Sequence, residues 1–205
     1  MRKIYLAPFA LLLMLLDQIS KWWVIEMFFR PRVLDADGPS ADFMSWLITL
    51  GQDQFPRVRE EILPVLNFAM AWNKGVSFSM FANDSAWMPY FLGISAVLFC
   101  LVLLVWLVRT PHLATAIPLS MIIAGALSNV WDRARFGAVA DFLDFHWDDL
   151  HFATFNIADC CIVVGVLVLA FDGLVLEPRR LKNTGQEAAD KSSIGSDVKM
   201  GVISL

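Results

Sequence analysis

Four stretches of this chain are apolar on every face, with neither the alternation of a half-buried strand nor the stripe of a surface helix. They run over about 4–29, 88–108, 113–130 and 155–176. A bilayer core takes about 20 mostly apolar residues in helical form, so each stretch is long enough to be a span. The second holds no charge at all. The first is interrupted by Asp17, Lys21 and Glu26, and the fourth contains Asp159 and Asp172. The third is the weakest, because Pro118, Ser120, Ser128 and Asn129 lie within it. Only "RTPH" separates the second and third, which predicts a tight antiparallel hairpin. The N-terminus begins like a secretory signal, but charged residues and a further apolar run follow with no small-residue cleavage site, so a retained first span is expected.

Two long connections remain, about 30–87 and 131–154. In the first, "PVLNFAMAWNKGVSFSMF" is rich in strand-forming residues around an N-K-G turn signal, which predicts a small sheet on the membrane surface over about 62–82. The polar, Pro- and Gly-punctuated segment before it reads as a loop or an interfacial helix. Trp46, Trp72, Trp87 and Trp147 are expected as interface anchors. Residues 1–182 are expected to form one membrane domain, and 183–205 a disordered polar tail.

Composition agrees with this pattern. The chain has 205 residues, 58% of them hydrophobic, and a mean hydropathy of +0.60, too apolar for an ordinary soluble domain. The formal charge of -4 excludes a basic nucleic-acid footprint. Cys100, Cys160 and Cys161 lie in apolar runs and form no disulfide framework or C-x-x-C. Charge also orients the spans. The short flanks hold six Lys/Arg, whereas the two long connections hold seven Lys/Arg against twelve Asp/Glu. Basic residues near span ends favour the cytoplasm, so both termini are expected there and both long connections outside.

The candidate chemistry is carboxylate chemistry. Asp17 and Lys21 sit at i and i+4, close enough to pair on one helix face. The pair is either structural, with Lys21 reaching outward, or it meets a lipid phosphate or orders a site. Asn129 and Asp132 form N-x-x-D at the end of the third span, and Asn156 and Asp159 repeat it at the start of the fourth. On antiparallel spans these ends meet. Asp141, in "GAVADFLDF", is flanked by apolar residues that would desolvate it, and facing Asp159 it would share one proton. Asp132, beside Arg133 and near Arg135, suits an ionised orienting role better, yet the residues alone leave Asp132 and Asp141 both open. Asp144, Asp148 and Asp149 read as a solvated face. His112, His146 and His151 have no zinc spacing, and Ser95 in "GISA" has no membrane-embedded base, so no metal or cofactor is expected. A non-enzymatic carrier or assembly factor using intramembrane carboxylates is the alternative.

Four blocks then resemble one family in order: "DQISKWWV", "AWNKGVSFSMF", "AGALSNVWDRARFGAVADFLDF" and "FNIADCCIVVG". Over about 10–175 the chain resembles bacterial lipoprotein signal peptidase, the type II signal peptidase. The resemblance implies a membrane all-α fold, a four-transmembrane-helix bundle with an outward-facing β-sheet cradle between the first and second spans. It implies an aspartyl endopeptidase of the bacterial inner membrane that cuts lipid-anchored prolipoproteins just before a diacylglyceryl cysteine. It assigns Asp141 and Asp159 as the catalytic pair. Asn73, Gly75, Asn129, Asp132, Arg133, Asn156, Asp17 and Lys21 match positions that shape the site, bind substrate or face lipid. A monomer, membrane lipid as a partner and no nucleic acid go with it. Ala124 and Ser128 stand where the family has glycines, Cys160 where it usually has Ser, and the 30–60 segment is longer than expected.

Overall fold

The computed structural model describes residues 2–35, 37–75, 87–180 and 182. The expectations for 76–82 of the sheet and for the tail from 183 lie outside the described residues. Four helices are long and apolar enough to cross a membrane. We label them α1 (Leu6–Val33), α3 (Met88–Arg109), α4 (Leu113–Phe136) and α5 (Ile157–Arg180). The short α2 (Phe43–Ile48) and strands β1 (Arg59–Leu63) and β2 (Leu66–Asn73) lie between α1 and α3. Strands β3 (Val139–Trp147) and β4 (Leu150–His151) lie between α4 and α5. Two compact units divide this chain. Residues 1–166 hold both sheet and bundle, and 167–205 hold the remainder of α5, where Arg180 pairs with Asp172.

The spans begin and end near the expected residues, with one informative difference. Helix α4 runs six residues beyond Val130. Nothing in "WDRARF" breaks a helix, and the stop comes at Gly137, whose φ of +67 is the left-handed C-cap geometry that glycine accepts without strain. Its N–H bonds to Arg133 O at 3.0 Å. Asn129, Asp132, Arg133 and Arg135 therefore sit on the helix itself and project at helical angles, whereas the sequence reading placed Arg133 and Arg135 in the outer connection.

The weak hydropathy of α4 has a packing cause. This is the central helix, with Ala116, Pro118, Leu119, Ser120, Ala124 and Ser128 essentially buried, so its surroundings are protein rather than lipid. Small residues let backbones approach. A Cβ added at Gly125 would lie 2.3 Å from Ala158 O on α5, and one at Gly165 would lie 2.9 Å from Pro118 O on α4. Helix α3 is the opposite case, with most of its apolar side chains exposed for lipid.

The sheet is antiparallel in the order β1-β2-β3-β4. Phe68 pairs with Leu143 and Ala71 with Asp141, so β2 spends one residue more than β3 between these pairs. This bulge shifts the phase of β2. Buried positions change from Asn67 and Ala69 to Met70 and Trp72, and Asn73 comes onto the face of Ala71 and Asp141. The other face of β3 packs Ala140 and Phe142, with Ala138 just before the strand, into a core with Val24, Ile25 and Phe29 of α1, Trp46, Phe55, Met70, Trp72 and Phe136. Trp46 and Trp72 are thus core residues, not interface anchors, because the sheet closes over them. Trp87 and Trp147 are exposed. The 30–60 segment forms α2, capped by Asp42 accepting from Met44 and Ser45 N–H. It is tied down by buried Glu26, which accepts from Arg30 and Ser40.

Candidate active site

Strand β3 and the start of α5 build the site together. Phe155 pairs with Leu143 by N–H···O bonds of 3.0 and 2.8 Å, which fixes the chain entering α5 beside β3. The next residue, Asn156, caps α5. Its Oδ1 accepts from Asp159 N–H at 2.9 Å, and Asp159 Oδ2 accepts from Asn156 N–H at 3.3 Å. This is a reciprocal capping box with Asp in the place of Glu. The N-x-x-D spacing of the fourth span is therefore a local helix-start signal as well as a site feature.

Asn156 also joins the two carboxylates. Its Nδ2 donates to Asp141 Oδ1 at 2.7 Å and lies 3.2 Å from Asn129 Oδ1. Asn129 Nδ2 donates to Asp159 Oδ1 at 2.8 Å. Across the strand pair, Asn73 Nδ2 donates to Asp141 Oδ2 at 3.2 Å, and Asn73 Oδ1 accepts from Gly75 N–H at 3.2 Å. Asp141 is 2% exposed, whereas Asp159 is half-buried. Burial pushes the Asp141 carboxyl up to about 7, and the neighbouring charge of Asp159 adds to this. Lys21 and the bonds from Asn73 and Asn156 oppose the shift without cancelling it.

A second cluster lies behind the first. Lys21 Nζ sits 2.6 Å from Asp17 Oδ2 and 2.7 Å from Asp132 Oδ2. The i,i+4 pair forms as expected, but Lys21 turns inward and is 1% exposed. Two carboxylates and one ammonium compensate one another better than lipid would. Asp17 Oδ1 accepts from Ala158 N–H at 2.8 Å, so α1 also caps the first turn of α5. Asp132 Oδ2 accepts from Ala140 N–H at 3.2 Å. The sequence reading gave Asp132 its cations from Arg133 and Arg135. In the structure the cation paired directly with Asp132 is Lys21, while Arg133 and Arg135 attract it from farther off and donate to Asn129 O and Gln18 Oε1.

All ten expected site residues thus fall in or beside these two clusters. Two others in these clusters were not singled out for this role. Gln18 donates to Asp132 Oδ1 at 2.9 Å, and Ser128 donates to Asp17 Oδ2 at 2.6 Å. Ser128, noted only as a polar interruption of the third span and a departure from the family, belongs to the second cluster. Asp144, apart from both clusters, is fully buried rather than solvated, because Asn67, Arg59 and His151 close over it at 3.0–3.1 Å. Burial works against its charge, but hydrogen bonds from Asn67 and His151 and the Arg59 cation hold its carboxyl below the ordinary range. No spacing signal foretold these, since Gln18, Ser128 and Asp144 each bond a residue from a distant segment. A cavity of about 440 Å³ lies on the Trp72 side of the sheet, lined by Trp46, Phe55 and Phe136, and includes neither Asp141 nor Asp159. Among the described residues no three His, Cys, Asp or Glu side chains are grouped to hold a metal.

A sequence model of signal peptidase (SPase) II matches residues 9–175. The chain belongs to the signal peptidase II family. It is 36% identical over 163 residues to a lipoprotein signal peptidase of Coxiella burnetii (strain RSA 331 / Henzerling II), covering 78% of this chain and 84% of that protein. It is 33% identical over 178 residues to a lipoprotein signal peptidase of Shewanella pealeana, covering 86% and 89%. The fold is similar to a bacterial membrane enzyme structure determined by the in meso method at 2.3 Å resolution. The TM-score is 0.59 at 21% identity, over 85% of this chain and 89% of that one. Membership makes this chain a membrane peptidase of the aspartic type, and the relatives share no sign of the carrier alternative.

Proposed function

We propose that this signal peptidase II family member cleaves the signal peptide from diacylglyceryl-modified prolipoproteins just before the lipidated cysteine, with Asp141 and Asp159 as its catalytic pair. The observation that carries the reading is Asn156, which bonds both carboxylates and holds them at one helix start. Two neighbouring carboxylates in a dry site retain one proton between them. Asp141, the buried member, keeps the proton. Asp159 lies in the first turn of α5, where the helix dipole favours a negative charge.

The half-buried Asp159 then accepts a proton from a water whose oxygen attacks the scissile carbonyl carbon. Asp141 donates its proton to the carbonyl oxygen. Collapse of the tetrahedral intermediate breaks the C–N bond: the proton held by Asp159 passes to the departing amine of the cysteine, and Asp141 takes back a hydroxyl proton as the carbonyl re-forms. Asn73 and Gly75, at the end of β2, and Arg133 face an extended peptide at this site. The peptide enters from the bilayer with its lipid anchor. We place the site at the outer face of the inner membrane with both termini cytoplasmic, on the distribution of Lys and Arg. The enzyme acts as a monomer.

The test is cleavage of a diacylglyceryl prolipoprotein by purified protein. Asp141→Asn and Asp159→Asn are each expected to lower kcat by about 10³-fold or more, in keeping with loss of an acid or base. Near-normal activity in either variant that still inserts in the membrane would remove it from the pair.

A further inference from the structure

Arg135 is a buried cation whose direct hydrogen-bond partners are amides rather than carboxylates. It is 1% exposed, and its guanidinium lies 3.8 Å over the Trp46 ring and 4.5 Å over that of Phe136. Nη1 donates to Gln18 Oε1 at 2.7 Å, and Nη2 reaches Gln52 Oε1 at 3.4 Å. The Gln52 N–H in turn donates to Arg135 O at 2.9 Å. A guanidinium has donors only. Gln18 must therefore turn its carbonyl toward Arg135, which aims its amide nitrogen the other way. That nitrogen donates to Asp132 Oδ1 at 2.9 Å and to Ser128 Oγ at 3.0 Å. The other Asp132 oxygen accepts the N–H of Ala140, the residue before Asp141. One chain of contacts thus runs from the segment after α2, through Arg135, Gln18 and Asp132, to the backbone that carries Asp141. Charge follows the same route. Arg135 and Asp132 attract one another across the Gln18 amide that joins them.

We propose that Arg135 is a positioning residue for the peptidase reaction, orienting Asp132 through Gln18 so that Asp132 seats the Ala140–Asp141 segment of β3. The proposal rests on Asp141 being half of the catalytic pair. Arg135 touches no reacting atom, so its removal changes the chemical step rather than substrate binding.

The experiment measures kcat, KM and the pH profile of the full chain in detergent, with a diacylglyceryl prolipoprotein as substrate. Arg135→Met is expected to lower kcat roughly 10- to 100-fold, as small misplacements of a catalytic group do, with KM changed less than about 2-fold. Arg135→Lys is expected to recover part of the loss, since an ammonium still donates to Gln18. Charges facing Asp141 come from Asp159 on α5, Lys21 on α1, and Asp132 and Arg133 on α4. Arg135 acts on this set through Asp132, and its loss leaves that carboxylate less compensated, so the alkaline limb of the profile moves to higher pH. A purely structural defect would scale activity at every pH and leave the limb in place. In the double variant, Gln18→Met should add little to Arg135→Met, because both cut one chain.

Unchanged kcat, a stationary alkaline limb or multiplicative losses in the double variant would overturn the proposal. So would a raised KM at constant kcat. If Arg135→Met does not fold, Gln18→Met alone carries the test, with the same loss of kcat expected and full activity refuting it. Activity in Asp141→Asn or Asp159→Asn would instead overturn the catalytic pair, a separate outcome from normal activity in the Arg135 variants.

Discussion

Aspartate plays four physical roles here, set by what surrounds each side chain. Asp17 and Asp132 share Lys21, Asp144 is paired with Arg59 and hydrogen-bonded to His151, Asp159 sits in a helix first turn, and Asp141 is dry with no direct cation. The last environment has a thermodynamic consequence. The Asp141 carboxyl is raised to about 7, against about 3.9 for an unfolded Asp. Its contribution to stability is complete below about pH 4 and is lost as pH rises through about 7. Asp141→Asn carries no such loss. Its melting temperature in detergent is expected to exceed that of the parent at pH 8, with the difference shrinking toward pH 4. A pH-independent difference would show that Asp141 is not protonated in the folded protein. The same residue would then be the one whose replacement raises stability and removes activity, the usual conflict between a strained site and a stable fold. In the activity profile the single shared proton is lost on the alkaline side, so cleavage is expected to decline above about pH 7.

At the scale of elements, the site depends on where helices start and how closely they pack. The start of α5 is held three times over, by Asn156, by Asp159 and by Asp17 of α1. Its packing on α4 relies on Gly125, where a Cβ would meet the carbonyl of Ala158, a backbone atom in that first turn. Gly125→Ala must therefore push α5 off α4, and overpacking of this kind costs about 1–3 kcal/mol. A lower melting temperature together with reduced kcat is expected, because Ala158 adjoins Asp159. Gly93→Ala, where nothing lies within 4 Å of the added methyl, is the control and should leave both unchanged. The β2 bulge works at the same scale. Without the extra residue, Asn73 would fall on the Trp72 face and lose Asp141.

At the scale of the whole molecule, the sheet lies at the end of the bundle proposed to face outward, beside the buried Asp17, Lys21, Asp132 and Asn156. The arrangement predicts which residues face which compartment. A cysteine placed at Asp149, on the β3–β4 turn, is expected to react with a membrane-impermeant maleimide in intact spheroplasts, and one placed at Arg109 only after lysis. The reverse pattern would invert the proposed topology. The endogenous Cys100 and Cys161 are buried and Cys160 half-buried, so a background without them keeps the readout clean.

The sequence by itself determined the four spans, because lipid demands long uncharged or paired helices wherever they pack. It also determined the Asp17–Lys21 pair and the Asn156–Asp159 cap, which are contacts within one turn of helix. The proposed site residues were picked out by ordered blocks resembling a family, although spacing alone left Asp132 and Asp141 both open. Only the tertiary structure decided between the environments of those two. Lys21 reaches Asp132 across 111 positions of chain, and Asn73 reaches Asp141 across 68. It also decided the fates of Asp144, Trp46 and Trp72, buried by segments far away in sequence, and the link from Arg135 to Gln18. A carboxylate is charged, paired or dry according to what is folded against it, and periodicity along the chain does not encode that partner.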